Sequence, residues 1–368
     1  MRHISELEDI LRTQLDWDKR KLNCAVQVII AMVVARTVCL SSLAKQLSGA
    51  SQLSSRYRRI QRLLHEWPES TDWIGPWLLS WFYRACELVS LTMDRTNWKF
   101  GKTNINFLVV GVTYKRMAIP IMWSLLPKRG NSNCNERISL LNRVLKYINK
   151  ERIKNLLCDR EFVGHLWFDW LLKHGIPFKI RIKDNYIVLT KGGKETTVEA
   201  LFYNLPRGKK MALESKRKIT SSRVGVYLSA SRLESGELMV VASDSPDETA
   251  IEAYCERWEI ETLFENLKSR GFDLEATHIV DPKRLSALMT LVSIAACWCY
   301  RVGEWLIDEG HLIKVKKHGR PSVSLFRHGL DKIGDVMCKL NPWKAIKPLV
   351  KVWGLLVPPK LVQQQLVL

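Results

Sequence analysis

Between Leu88 and Ile182 the apolar residues fall into short β-type runs parted by polar turns, and their order leaves the chain few ways to fold. Leu91-Thr92-Met93-Asp94, Asn106–Val112 and Ala118–Trp123 read as three successive strands. Glu136–Ile148 reads as an amphipathic helix, and Leu156-Leu157-Cys158 as a strand running into Asp159. His165–Lys173 is a second helix and Phe178–Ile182 a further strand. Three strands, helix, strand, helix, strand predicts a mixed α/β sheet covered by helices. In that order Asp94 lies on the first strand and Asp159 at the end of the fourth.

This is the order of a ribonuclease H-like sheet, and the expected fold class is α/β with additions on either side. Residues 1–88 carry helical periodicity and almost no strand signal. Within them a short helix ending near Leu47, the turn Ser48-Gly49-Ala50 and a longer helix form a helix-turn-helix-like pattern. On the longer helix Leu53, Tyr57, Ile60 and Leu64 fall within an arc of roughly 60°, with Arg58, Arg59 and Arg62 opposite. An all-α DNA-binding region offering an arginine face follows. Residues 184–240 break the α/β alternation with short strands and carry the basic run Arg207–Arg223, which reads as a β-rich insertion. Helix returns over Glu248–Ser269 and Pro282–Asp308. The expected organisation is 1–88 helical, 89–183 with 241–345 catalytic, 184–240 insertion and 346–368 a basic, Pro-punctuated tail.

Charge narrows the function. With 57 Lys+Arg against 37 Asp+Glu the net charge is +20, on a composition that is otherwise globular, which points to a nucleic-acid partner. Nine cysteines without a CxxC pair, and eight histidines without ligand spacing, argue against a disulfide framework and a zinc site. The apolar stretches Ala25–Ala35 and Leu285–Tyr300 are shorter than the roughly 20 residues of a membrane span and read as buried helices. The first residues have no apolar signal core, so a cytoplasmic, nucleoid-associated protein is expected.

Two carboxylates at the ends of neighbouring strands, completed by an acid from a helix, can hold divalent cations for phosphoryl transfer. Asp94 and Asp159 occupy such strand ends. On the helix near Asp247–Ser269, the residues Tyr254, Arg257, Glu261 and Lys268 share an arc of about 60°, so one edge would present a phenol, two cations and a carboxylate. Tyr254-x2-Arg257-x3-Glu261-x6-Lys268 matches at every position the Y-R-E-K signature of bacterial insertion-sequence DDE transposases of the IS-four family. Asp94-Arg95-Thr96 and Asp159-Arg160-Glu161-Phe162-x-Gly164 also resemble that family's first and second aspartate motifs. The likeness runs from the N-terminal helical region to about Arg301.

The resemblance implies that Asp94, Asp159 and Glu261 are the catalytic, metal-binding triad, holding two Mg²⁺ ions for which Mn²⁺ can substitute. It implies that Tyr254, Arg257 and Lys268 contact phosphate and the displaced strand, and that the protein works as a homodimer on double-stranded DNA, at transposon ends and target. The implied reaction is cut-and-paste transposition; a structure-specific endonuclease or an inactive DNA-binding regulator is the alternative. Relatives that form a hairpin can stack a flipped base on a tryptophan of the insertion. Here no tryptophan lies between Trp170 and Trp258, which leaves Phe178, Tyr186, Phe202, Tyr203 or Tyr227 for that role.

Overall fold

The computed structural model describes residues 8–9, 11–13, 15–219 and 224–338; Arg223 and the expected tail 346–368 lie outside them. Its contacts resolve into two compact units, one of 86–97 and 106–262, the other of 1–85, 98–105 and 263–368.

The first unit is built on the expected sheet. Strands β1 (Val89–Phe100), β2 (Thr103–Tyr114), β3 (Met117–Leu125), β4 (Ile153–Cys158) and β5 (Phe178–Ile182) follow the chain in the order read from the sequence. Three short strands, β6 (Ile187–Leu189), β7 (Glu195–Thr197) and β8 (Lys210–Ala212), and the two-residue β9 (Arg217–Lys218) come next, then β10 (Gly225–Arg232) and β11 (Leu238–Ser243). The sheet order is β3-β2-β1-β4-β5-β11-β10-β8, with β9 on β10 and β6–β7 a separate ribbon. β1–β4 and β4–β5 pair in parallel and the other pairs with a resolved register are antiparallel. This is the ribonuclease H-like mixed sheet. The segment after Ile182 extends it: β10 and β11 continue the same sheet from β5 onward.

Local chemistry explains the strands. β2 is buried over nine consecutive residues, Ile105 to Thr113, as a central strand covered on both faces should be. β2 and β3 are joined by Lys115-Arg116, both with positive φ (44° and 77°), the conformation whose twist suits a two-residue hairpin. In the β1–β4 pair, Val89 faces Ile153 and Ser90 faces Asn155, so Lys154 is an extra residue on β4; from there Leu91↔Leu156, Thr92↔Leu157 and Met93↔Cys158 run in step. The helices Cys134–Leu145 and His165–His174 join β3 to β4 and β4 to β5. The first opens with a capping box in which Asn133 and Glu136 satisfy each other's backbone N–H groups.

The expected helix over 248–269 is two helices, Ala250–Cys255 and Trp258–Leu267. The junction is tightened by three-residue bonds, Glu256 N–H to Ala253 and Arg257 N–H to Tyr254. No Gly or Pro marks this break.

The second unit is helical. It contains Lys19–Ala35, Leu40–Gln46, Leu53–His65, Ile74–Ser80, Pro282–Asp308 and Leu325–Met337. Pro282–Asp308 matches its expected bounds, with Asp281 capping its N-terminus and Pro282 at the first position. It is long and apolar enough to cross a membrane, yet the most apolar stretch is 89% buried within the protein, as befits a core helix. Leu325–Met337 lies so close to it that a Cβ on Gly329 would stand 1.8 Å from the Cys299 carbonyl oxygen.

Candidate active site

β1 and β4 are parallel neighbours whose last paired residues are Met93 and Cys158, so Asp94 and Asp159 follow side by side at adjacent strand positions. The Asp94 side chain is 19% exposed, and its Oδ1 accepts the Arg95 N–H at 2.7 Å. Burial pushes its carboxyl up to about 7, aided by Glu161 and Asp159 and opposed by the Arg95 N–H and Arg257. The site therefore holds a carboxyl that ionises readily only when a cation compensates it.

Arg257 is the cation beside it, and it lowers the carboxyl without returning it to the ordinary range. It is 4% exposed, its Nη1 lies 3.4 Å from Asp94 Oδ2, and its Nη2 donates to Glu261 Oε1 at 2.7 Å. Its Nε donates to the Tyr254 hydroxyl at 2.9 Å, and that hydroxyl donates to Asp159 Oδ1 at 3.4 Å. One guanidinium thus joins Asp94, Glu261 and, through Tyr254, Asp159. Burial alone would lower the Arg257 pKa, but Tyr254, Glu261 and Asp159 together raise it, so it stays charged. Burial likewise raises the Tyr254 phenol, which stays protonated and able to donate. The expectation that Arg257 and Tyr254 line an open edge is corrected here: both are buried. The helix break turns Arg257 inward, where three oxygen partners offset its desolvation. Glu261 keeps a half-exposed side chain.

Among the described residues no three Asp, Glu, His or Cys side chains form a ready-made metal cluster. The donor set nonetheless suits Mg²⁺: three carboxylates are hard oxygen ligands, and the buried Asp94 calls for a compensating cation. Lys268 belongs to the helical unit, where its Nζ pairs with Glu275 at 2.7 Å and lies 5.8 Å from the Trp98 ring. Glu265, one turn beyond Glu261, pairs with Arg270 at 2.6 Å.

The sequence reading passed over two contacts that hold the acids in place. Arg95 forms a two-pronged pair with Glu161, Nε to Oε1 at 2.7 Å and Nη2 to Oε2 at 2.8 Å, and also reaches Asn106, Asn131 and the Gly130 carbonyl. It ties the residue after Asp94 to the segment after Asp159. An arginine one residue after the first acid and a glutamate two residues after the second, on strands expected to be adjacent, were the available signal. Glu259, two residues before Glu261, accepts the Tyr114 and Arg116 N–H groups with its two oxygens and so clasps the β2–β3 turn. Burial raises its carboxyl to about 7, against those two hydrogen bonds.

On the Leu53–His65 helix, Arg58 and Arg62 are exposed and, among the described residues, make no side-chain hydrogen bond or ion pair. Arg59 departs from the expected arginine face: it is half-buried, with Nη2 3.4 Å from Gln27 Oε1. Ile60, Leu63 and Leu64 are the docked residues, whereas Leu53, at the first position of the helix and ahead of the packed turns, is 49% exposed. Of the aromatics named for a flipped base, Phe178 and Phe202 are buried and Tyr203 is 80% exposed. Trp258, beside Arg257, is 60% exposed and was not among those named.

The ribonuclease H-like sheet thus brings two strand-end aspartates and, through Arg257, a helical glutamate into one network. Residues 93–298 match the transposase DDE domain family, and the chain belongs to that family. No curated protein matches the chain. Membership makes it a DNA-acting transposase-class enzyme, in a family that generally uses divalent metal ions.

Proposed function

We propose that the protein is an insertion-sequence transposase of the IS-four group that performs cut-and-paste transposition, with Asp94, Asp159 and Glu261 as its catalytic acids. The observation that carries this reading is the single network linking all three acids through Arg257 and Tyr254. Two Mg²⁺ ions, or Mn²⁺ in their place, bound by these carboxylates would supply Lewis acidity for attack on phosphorus. The residues do the rest. Arg257 offsets the negative charge of Asp94 and Glu261 and, through Tyr254, holds Asp159 in the same network. Tyr254 holds a proton beside Asp159. Water cleaves a phosphodiester at each transposon end, and the freed 3′-OH joins target DNA. Lys268 contributes positive charge along the bound strand, and Arg58 and Arg62 contact the transposon end.

The protein acts as a homodimer that holds two ends together, on nucleoid DNA in the cytoplasm. Where a hairpin intermediate forms, Tyr203 is the most exposed stacking surface of the insertion's aromatics considered. Incubating the protein with a labelled end duplex and Mg²⁺ tests the reading. Cleavage followed by joining to a plasmid is expected; cleavage without joining of a pre-cut end would make the protein an endonuclease, and absence of both would make it a DNA-binding regulator.

A further inference from the structure

The helices Pro282–Asp308 and Leu325–Met337 are linked by a segment of unusual charge. From Gly310 to Leu330 no Asp or Glu occurs, while Lys314, Lys316, Lys317 and Arg320 fall within seven residues, with His318 among them. The backbone here is built rather than loose. Val315 bridges Pro321, the Lys316 and Ser322 N–H groups donate to the Arg320 and Lys314 carbonyls at 2.8 Å, and Gly319 N–H closes the turn onto Lys316. Gly319 supplies the positive φ, 79°, that the turn requires.

Every residue from Lys314 to Ser322 is exposed. Among the described residues none of the four cations has an ion pair or a side-chain hydrogen bond. Elsewhere in the protein basic side chains are commonly engaged: Lys210 with Glu252, Arg217 with Ser215, Lys216 over the Tyr227 ring, Arg327 with Asp331. Four like charges on one short exposed turn without a carboxylate create a local positive potential that attracts a polyanion.

We propose that the Lys314–Arg320 turn is a second DNA contact of this protein, separate from the Leu53–His65 helix, that binds the phosphodiester backbone of duplex DNA without reading its bases. It rests on the transposase reading and extends it to a surface outside the signature motifs. The turn carries point charges and few hydrogen-bond acceptors, which suits phosphates rather than base edges. Such a contact would hold DNA of any sequence, target DNA included.

The test uses the full chain and a mixed-sequence duplex of roughly three helical turns, with binding followed from about 50 to 200 mM NaCl. Lys314→Ala, Lys316→Ala, Lys317→Ala and Arg320→Ala combined should flatten the slope of log K against log salt by about three to four units. A charge-keeping combination, each Lys→Arg and Arg320→Lys, should retain the wild-type slope, and melting curves check that both variants fold. Should the combined variant fail to fold, Lys317→Ala and Arg320→Ala singly should each remove about one unit. An unchanged slope overturns the proposal. So does loss of binding to phosphatidylserine vesicles with duplex binding intact, which would assign the turn to a membrane. A wild-type chain with no salt-dependent duplex binding would instead bring down the transposase reading together with this one.

Discussion

Arginines in two parts of this protein look alike in sequence and behave in opposite ways. Arg257 sits among carboxylates and a phenol, almost without solvent, and its charge is spent inside the protein. Arg58 and Arg62 stand on an exposed helix face with no partner among the described residues. Both sets were read as cations offered to DNA. The difference shows that helical spacing tells which side chains share a face but not whether the face is covered. Burial decides that. An enclosed guanidinium is held by its neighbours' charges, whereas an exposed one is available to a ligand and screened by salt.

The largest effects belong to the enclosed region. On the proposed reading, Asp94→Asn, Asp159→Asn and Glu261→Gln should each abolish cleavage and joining while leaving end binding within about two-fold, because acids that hold the metal serve the reaction rather than affinity. Glu265→Gln, which removes only the exposed pair with Arg270, should keep most activity. Single-turnover cleavage at matched DNA occupancy decides it; an active Glu261→Gln beside an inactive Glu265→Gln would displace the third acid by one turn.

Next in size is stability. Arg257→Ala leaves the buried Asp94 carboxyl without its cation and should cost about 3–5 kcal/mol in chemical denaturation. Arg58→Ala and Arg62→Ala should stay within about 0.5 kcal/mol of wild type. Equal losses in the two regions would erase the comparison.

A pH series sharpens it further. The Asp94 carboxyl in the folded protein ionises near 7 and in the unfolded chain near 4, so between those values the fold binds the extra proton. Stability without metal should therefore decline as pH rises through that window, and Asp94→Asn should flatten the decline. Melting temperatures of the two chains from pH 4 to pH 8 give the comparison directly; parallel curves would contradict it. The smallest effect is on the open face. Arg58→Ala and Arg62→Ala should each flatten the salt dependence of end binding by about one unit, and Arg59→Ala, whose guanidinium faces Gln27, by none.

How far the sequence could be read follows the same division. Strands β1 to β5 were legible because a covered sheet demands continuous apolar runs, and Pro282–Asp308 because Asp281 and Pro282 mark its start. That Asp94 and Asp159 would lie at neighbouring strand ends was legible from strand order. The break before Trp258 was not, since no Gly or Pro marks it and the partners Arg257 meets there, Asp94 among them, are distant in sequence. Neighbouring Arg58 and Arg59 could not be told apart either, because what separates them is Gln27, contributed by another helix. The Arg95–Glu161 pair was visible as charges and invisible as a contact until β1 and β4 were in register.

That register makes segment length a conserved quantity in its own right. Lys154 is the supernumerary residue on β4, and beyond it the two strands advance together to Met93 and Cys158. Removing Lys154 takes up slack before the shared phase begins, so Asp94 and Asp159 remain opposite each other. Inserting one residue between Asn155 and Cys158 leaves every apolar residue present but sends Asp159 to the other face of the sheet. Two edits of equal size and nearly equal composition thus have opposite fates: the first is silent in this strand pair, and the second writes the same amino acids out of phase with the chemistry.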